Sequence, residues 1–202
     1  MVKKALIALA ALVAAFLIVV ATRPDTYHVE RSAKIEAPAE IVFAEVSDFQ
    51  TFKEWSPWAK LDPAMQTTIS TPSSGVGATY AWQGNKNVGK GKMTFLESQA
   101  PTHTKERLEF IEPFAGVAES EMTIKPEGGN AATVTWAMNG KAGFMMKAVG
   151  LFMNMDKSVG GKYEEGLANL KRVAEAKRAA APTAAAPAEP TKVPASAPAK
   201  TK

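Results

Sequence analysis

Between residues 26 and 138, apolar and polar positions alternate in seven stretches; from residue 144 onward the spacing lengthens to three or four. Alternation marks half-buried strands and the longer step marks an amphipathic helix. The first stretch, residues 26–36, sets Tyr27, Val29, Arg31, Ala33 and Ile35 against His28, Glu30, Ser32 and Lys34. Arg31 interrupts the apolar face, so part of that face is expected to be wet. Pro38 falls where a first helical turn would start, and Ile41, Val42, Val46 and Phe49 make a short amphipathic helix after it. A second short helix or turn covers residues 51–55, and Ser56-Pro57-Trp58 closes it. Six further strands are predicted at 66–70, 78–83, 89–97, 102–110, 117–125 and 132–138, separated by turn-forming Gly, Asn and Pro.

The long pattern at 144–178 repeats apolar residues at Met145, Val149, Phe152, Met155, Val159, Tyr163, Leu167, Leu170 and Ala174. It predicts one helix. Its first half is rich in methionine, with Met145, Met146, Met153 and Met155, and contains Gly150, Gly160 and Gly161. Methionine adapts to irregular apolar shapes, so this half either fills a helix–sheet interface or walls a cavity. Gly160-Gly161 marks a kink, a break or a place where a strand approaches closely.

Both ends change the picture. Residues 5–22 carry no charge and follow Lys3 and Lys4. As a helix they would rise about 27 Å, close to a bilayer core. A retained anchor is favoured over a cleaved signal peptide, whose apolar core is shorter. Lys3 and Lys4 would stay in the cytoplasm, which places the soluble part outside the inner membrane, in the periplasm of a two-membrane bacterium. Residues 179–202 are mostly Ala, Pro, Thr and Lys and are expected to form a disordered tail. Domain boundaries therefore fall at 1–24, 25–178 and 179–202.

The net charge of +4 comes from these ends, since residues 25–176 hold 16 basic and 19 acidic residues, a net of −3. That balance argues against nucleic acid. With no cysteine and two histidines, neither thiolate chemistry nor a metal site is expected. The glycine-rich turns lack a phosphate-loop pattern, and no cofactor is expected.

Several segments, read in this order, resemble one known superfamily. They are Ile35-Glu36-Ala37-Pro38-Ala39-Glu40-Ile41-Val42-Phe43, Trp55-Ser56-Pro57-Trp58 with Leu61-Asp62-Pro63, Gly75-Val76-Gly77-Ala78 leading to Tyr80-Ala81-Trp82, Val88-Gly89-Lys90-Gly91, and Gly166-Leu167-Ala168-Asn169-Leu170. The chain over residues 27–176 is similar to the START/Bet v 1-like helix-grip superfamily (SRPBCC), and most to its bacterial polyketide cyclase/dehydrase-like branch. The resemblance implies an α+β fold in which a curved antiparallel sheet grips a long C-terminal helix over an apolar cavity. It favours the cavity-walling reading of the methionines. It also implies a hydrophobic small molecule or lipid as ligand.

On that expectation the ligand-binding candidates are Trp55 and Trp58 near the cavity mouth, Tyr80, Trp82, Met93, Phe95, Phe110, Met122 and Trp136 on the inward sheet face, and Phe152 and Met155 on the helix. Leu108, Val134 and Met138 share the inward face, and most of these side chains are expected to serve the core. An enzyme would need acid–base groups inside. Arg31, Glu106, Ser120 and Asp156 are the polar residues that fall near inward faces, and they form no recognisable constellation; Glu106 and Asp156 are the weak catalytic candidates. Three functions follow in order: a membrane-anchored binder of a hydrophobic molecule, a cyclase- or dehydratase-like enzyme, and an interaction module whose cavity is filled by its own side chains.

Overall fold

The computed structural model describes residues 1–152 and 154–181. An apolar helix, α1 (Val2–Ala21), precedes the first strand, β1 (Thr26–Ile35). Two short helices follow, α2 (Ala39–Val46) and α3 (Phe49–Trp55). Then come β2 (Gln66–Ile69), β3 (Thr79–Gln83), β4 (Lys90–Gln99), β5 (His103–Glu112), β6 (Gly116–Pro126) and β7 (Ala132–Lys141). Two helices end the chain, α4 (Phe144–Val149) and α5 (Met155–Ala180).

The strands form one antiparallel sheet in the order β1-β7-β6-β5-β4-β3-β2. Burial follows the alternation in the sequence. Val29 and Ile35 on β1, Met122 and Ile124 on β6, and Val134, Trp136 and Met138 on β7 are buried, while their neighbours face water or are half-covered. All of these side chains except Val29 share one core cluster with Tyr163, Leu167, Leu170 and Ala174 of α5. α5 runs in the same direction as β1: Asp156 meets Arg31, Lys171 donates to the Lys34 carbonyl and Arg178 to the Glu36 carbonyl. α2 and α3 close the other side of α5. Lys177 Nζ lies 2.8 Å from both oxygens of the buried Glu45 carboxylate. The fold is therefore α+β and helix-grip-like, as the strand and helix order predicted.

The caps explain the helix ends. Asp48 accepts from the Gln50 amide at the start of α3, and Asn154 accepts from the Lys157 amide at the start of α5, each filling an orphan donor. Pro38 caps α2 from outside rather than occupying its first turn.

The single helix expected over 144–178 is two. α4 ends at Gly150 and α5 begins after Asn154, so the break lies upstream of Gly160-Gly161. Apolar steps of three and four continue across the gap, so the periodicity could not reveal it. Gly160 sits inside an unbroken helix because its missing side chain makes room for the Arg31 guanidinium. The close approach is thus made by a side chain of β1, not by a strand backbone. α5 also runs to Ala180, so the first two residues read as tail are helical. Residues 182–202 of that expected tail, and Met153 of the methionine run, lie outside the described residues.

One glycine is required by geometry near the future site. Gly89, after the β3–β4 turn, has a φ of +65°, and a Cβ there would overlap the Glu112 carbonyl oxygen. Neither obstacle is a movable side chain. Gly89→Ala should therefore cost about 1–3 kcal/mol, read as a lower unfolding midpoint with unchanged secondary structure.

Candidate functional site

The sheet does not close fully on α5. Between them lies an apolar cavity of about 180 Å³. Its walls come from four parts of the fold: Tyr80, Trp82 and Met93 from β3 and β4, Leu108 and Phe110 from β5, Trp136 and Met138 from β7, and Val159 and Tyr163 from α5. Phe52, Ser56 and Trp58 line it from α3 and the turn beyond, and Met65 and Val88 complete the lining. Trp82 donates its indole N–H to the Val88 carbonyl at 3.1 Å, which fixes that ring and the turn together. A larger and more open groove lies elsewhere, lined by Tyr27, Val117 and Ala118 together with Thr26, His28, Arg107, Glu119 and Asn139.

An aromatic cluster builds the inner wall. Trp136 stacks on Tyr163 with ring centres 3.9 Å apart and planes 6° from parallel. Trp55 and Trp58 meet the same indole edge-on, at 5.3 and 5.7 Å. Such pairs add about 0.5–1.5 kcal/mol each beyond area burial.

Behind that wall sits a buried polar group. Glu106 is 6% exposed and opposes Ser120 across the β5–β6 pair. Thr104 donates to its carboxyl at 2.8 Å. Ser120, itself a lining residue, accepts the Trp136 indole N–H at 3.0 Å. Among the described residues no cation reaches the Glu106 carboxyl. Burial pushes its pKa up to about 7, against the hydrogen bonds from Thr104 and Ser120 that favour the charged form. Burial also pushes Tyr80 up to about 12 and Tyr163 well above the usual phenol range. The polar residues Glu106, Ser120, Trp136 and Tyr163 thus form a connected group at the cavity's inner end.

The other polar candidates lie apart from it. Arg31 binds Glu164 at 2.7 Å and Asp156 at 2.9 Å on the outer surface of α5. Those hydrogen bonds raise the Arg31 pKa and lower that of Asp156, which is fully exposed to solvent. Asp156 holds the start of α5 to β1 and has no access to the cavity, which corrects its expected place near an inward face.

Of the expected ligand contacts, Trp58, Tyr80, Trp82, Met93, Phe110 and Trp136 line the cavity. Trp55, Phe95 and Met122 do not; all three are buried in the core. Trp55 ends α3 and donates its indole N–H to the Glu45 carbonyl, a fixed position inside the protein rather than on a loop at the mouth. Phe95 stacks on Phe49 at 4.3 Å. Phe152 is 82% exposed and Met155 half-buried, both away from the lining, because the α4–α5 break removes them from the gripped face. The described methionines of that segment, Met145, Met146 and Met155, accordingly do not line the cavity: Met145 is exposed on α4, and α4 packs against α1. Sequence reasoning missed Leu108, Met138, Val159 and Tyr163 as lining residues; their inward phase was visible, but not which inward residues stop short of one another.

A sheet gripping a long helix over an apolar cavity defines a hydrophobic-ligand-binding fold. Solved structures share it at low identity, which speaks to fold alone. Norcoclaurine synthase from Thalictrum flavum, solved in complex with dopamine and hydroxybenzaldehyde, superposes with a TM-score of 0.57 at 13% identity, over 79% of this chain and 91% of that one. Protein CV1439 from Chromobacterium violaceum gives 0.52 at 16% identity, over 75% and 99%. An uncharacterised protein from Rhizobium leguminosarum gives 0.53 at 14%, over 75% and 97%. No curated protein matches the sequence. The family model for "polyketide cyclase / dehydrase and lipid transport" matches residues 26–175, and the chain belongs to that family.

Proposed function

We propose that this chain binds a hydrophobic small molecule or lipid in the cavity between sheet and α5, while α1 anchors it in the inner membrane. The observation that carries the reading is the mostly aromatic and aliphatic lining of the cavity. A cavity of about 150 Å³ lined by aliphatic residues accepts a benzene ring. At 180 Å³ the site suits one ring or a short branched chain, with the rest of a longer ligand leaving past Val88 and Met65. The void also weighs against a core filled by its own side chains. Residues 1–24 serve as anchor, 25–178 as binding domain and 179–202 as a tail. The α1 helix has the length and mean hydropathy to cross a bilayer, and Lys3 and Lys4 favour a periplasmic domain. A signal sequence passes the same test and is the alternative.

Native mass spectrometry of the full chain in a mild detergent, followed by organic extraction, tests the binding. A stoichiometric apolar adduct is expected. Met93→Trp, which fills the cavity, should lower its occupancy about tenfold at limiting ligand. Bare mass in both proteins would overturn the reading.

One observation favours a second reading, a cyclase- or dehydratase-like enzyme. Glu106 is a buried carboxyl poised to exchange a proton near neutrality beside the cavity-lining Ser120. In that case Glu106→Gln abolishes turnover of a carbonyl-bearing substrate while the apolar adduct persists.

A further inference from the structure

The domain is not symmetrical end to end, and the asymmetry tracks α1. The last turn of α1 is packed onto the domain: Val20 is fully buried, and α1 rests on α4. Asp25, just beyond α1, is bound to α4 through Lys147, and its carbonyl accepts from the Ala142 amide at 2.8 Å. Val20 belongs to the uncharged run of residues 5–22. If that run lies in a bilayer, a helix packed against its last turn lies at the bilayer surface.

α4 also presents apolar side chains to solvent. Phe144 and Met145 are 53% and 56% exposed, and Phe152 in the next turn is 82% exposed. The sheet register brings a second apolar element to the same end. Thr26 pairs with Lys141 and Phe110 with Gly116, so the β5–β6 turn projects where β1 begins and β7 ends. It exposes Ile111 and Phe114. At the opposite end, the turns at residues 99–103 and 126–132 expose no large apolar side chain among the described residues, and the β2–β3 connection exposes Val76 alone. Arg23 and Lys141, both exposed, flank the apolar group, with Glu112 the opposing charge at the tip. The cavity lining reaches this end too, since its Val88 adjoins Gly89, which sits against Glu112.

We propose that α4, the turn through Phe152 and the β5–β6 tip form a lipid-resting face, which seats the cavity mouth on the bilayer that holds α1. The proposal rests on the anchor reading of α1. Aromatic and aliphatic side chains flanked by cations suit the headgroup–acyl boundary, where such faces sink about 5–10 Å. A protein partner is the competing occupant. Continuity with the packed end of a membrane-length helix favours lipid.

The chain has no cysteine, so single labels are straightforward. Full-length Phe114→Cys, Phe152→Cys, Leu12→Cys and Gln99→Cys would each carry an environment-sensitive dye in phosphatidylethanolamine–phosphatidylglycerol vesicles with brominated acyl chains. Dyes at residues 114 and 152 should lose about half their emission, as expected at that depth, while the dye at 99 keeps its emission. Quenching at residue 12 with none at 114 and 152 would overturn the face and leave the anchor standing. Quenching at 114 and 152 without quenching at 12 would support the face and sink the anchor. No quenching at 12, 114 or 152 would overturn both.

Discussion

Trp136→Ala should be the most damaging single change in the domain, lowering stability by about 3–5 kcal/mol. The indole joins three layers at once. It stacks on Tyr163 of α5, takes the edges of Trp55 and Trp58 from the α3 side, and donates to Ser120 of β6. Alanine leaves a void continuous with the existing cavity, and the aromatic rings around it lose their common partner. Gly166 tightens the effect, since α5 approaches the Trp136 ring there too closely to admit a Cβ without a shift. Trp136→Phe keeps most of the stacking and loses the N–H donor to Ser120. That variant should cost less, with the lost hydrogen bond contributing about 1 kcal/mol. Urea unfolding of the full chain in detergent, followed by circular dichroism, separates the two. Equal midpoints for Trp136→Phe and Trp136→Ala would show that ring packing is not what holds the wall.

Glu106 should make stability fall as pH rises. A carboxyl free in the unfolded chain titrates near 4.5, whereas in the fold burial raises it to about 7. Between these values the folded protein binds more protons than the unfolded one, so each rise in pH favours unfolding. The loss is complete above pH 7 and amounts to about 3 kcal/mol, at about 1.4 kcal/mol per tenfold difference in proton affinity. Asp25, Glu127, Asp156, Glu165 and Glu175 are shifted the other way by hydrogen bonds to Lys147, Thr133, Arg31, Lys162 and Lys171. Their stabilisation is lost only as pH falls below the ordinary carboxylate range, so it does not offset Glu106 above pH 5. Glu106→Gln should flatten the profile from pH 5 to 8 and exceed the parent protein in stability at pH 8. A parent profile that is flat across this window, or matched by the variant, would mean that the carboxyl is wet.

The strands were legible because each strand's residues carry their own evidence. Val29, Ile35, Tyr80, Trp82, Leu108, Phe110, Val134 and Trp136 all fall on the predicted inward faces, and Arg31 meets solvent and α5 on a face expected to be wet. What depends on more than one element was not legible. Glu106 and Ser120 become neighbours through the β5–β6 register, and Tyr163 joins them only when α5 docks, so the polar group at the cavity's end could not be assembled from spacing. Phe152 shows the converse. Its position suits the helical stripe perfectly well, yet Gly150 and Asn154 interrupt the helix on either side of it and leave it outside the grip. The difference between Trp55 and Trp58 is likewise tertiary: two residues separate a core indole from a cavity one.

Only residues 22–25 separate α1 from β1. Fully stretched they would span about 14 Å, and the contacts of Val20, Asp25 and Lys147 leave even that slack untaken. With α1 held in a bilayer, as proposed above, a domain tethered so short would not ferry cargo across an aqueous gap as a carrier on a long leash does. It would work as a fixed doorway: molecules would come to it and depart from it, and onward travel would require a mobile acceptor that visits the membrane.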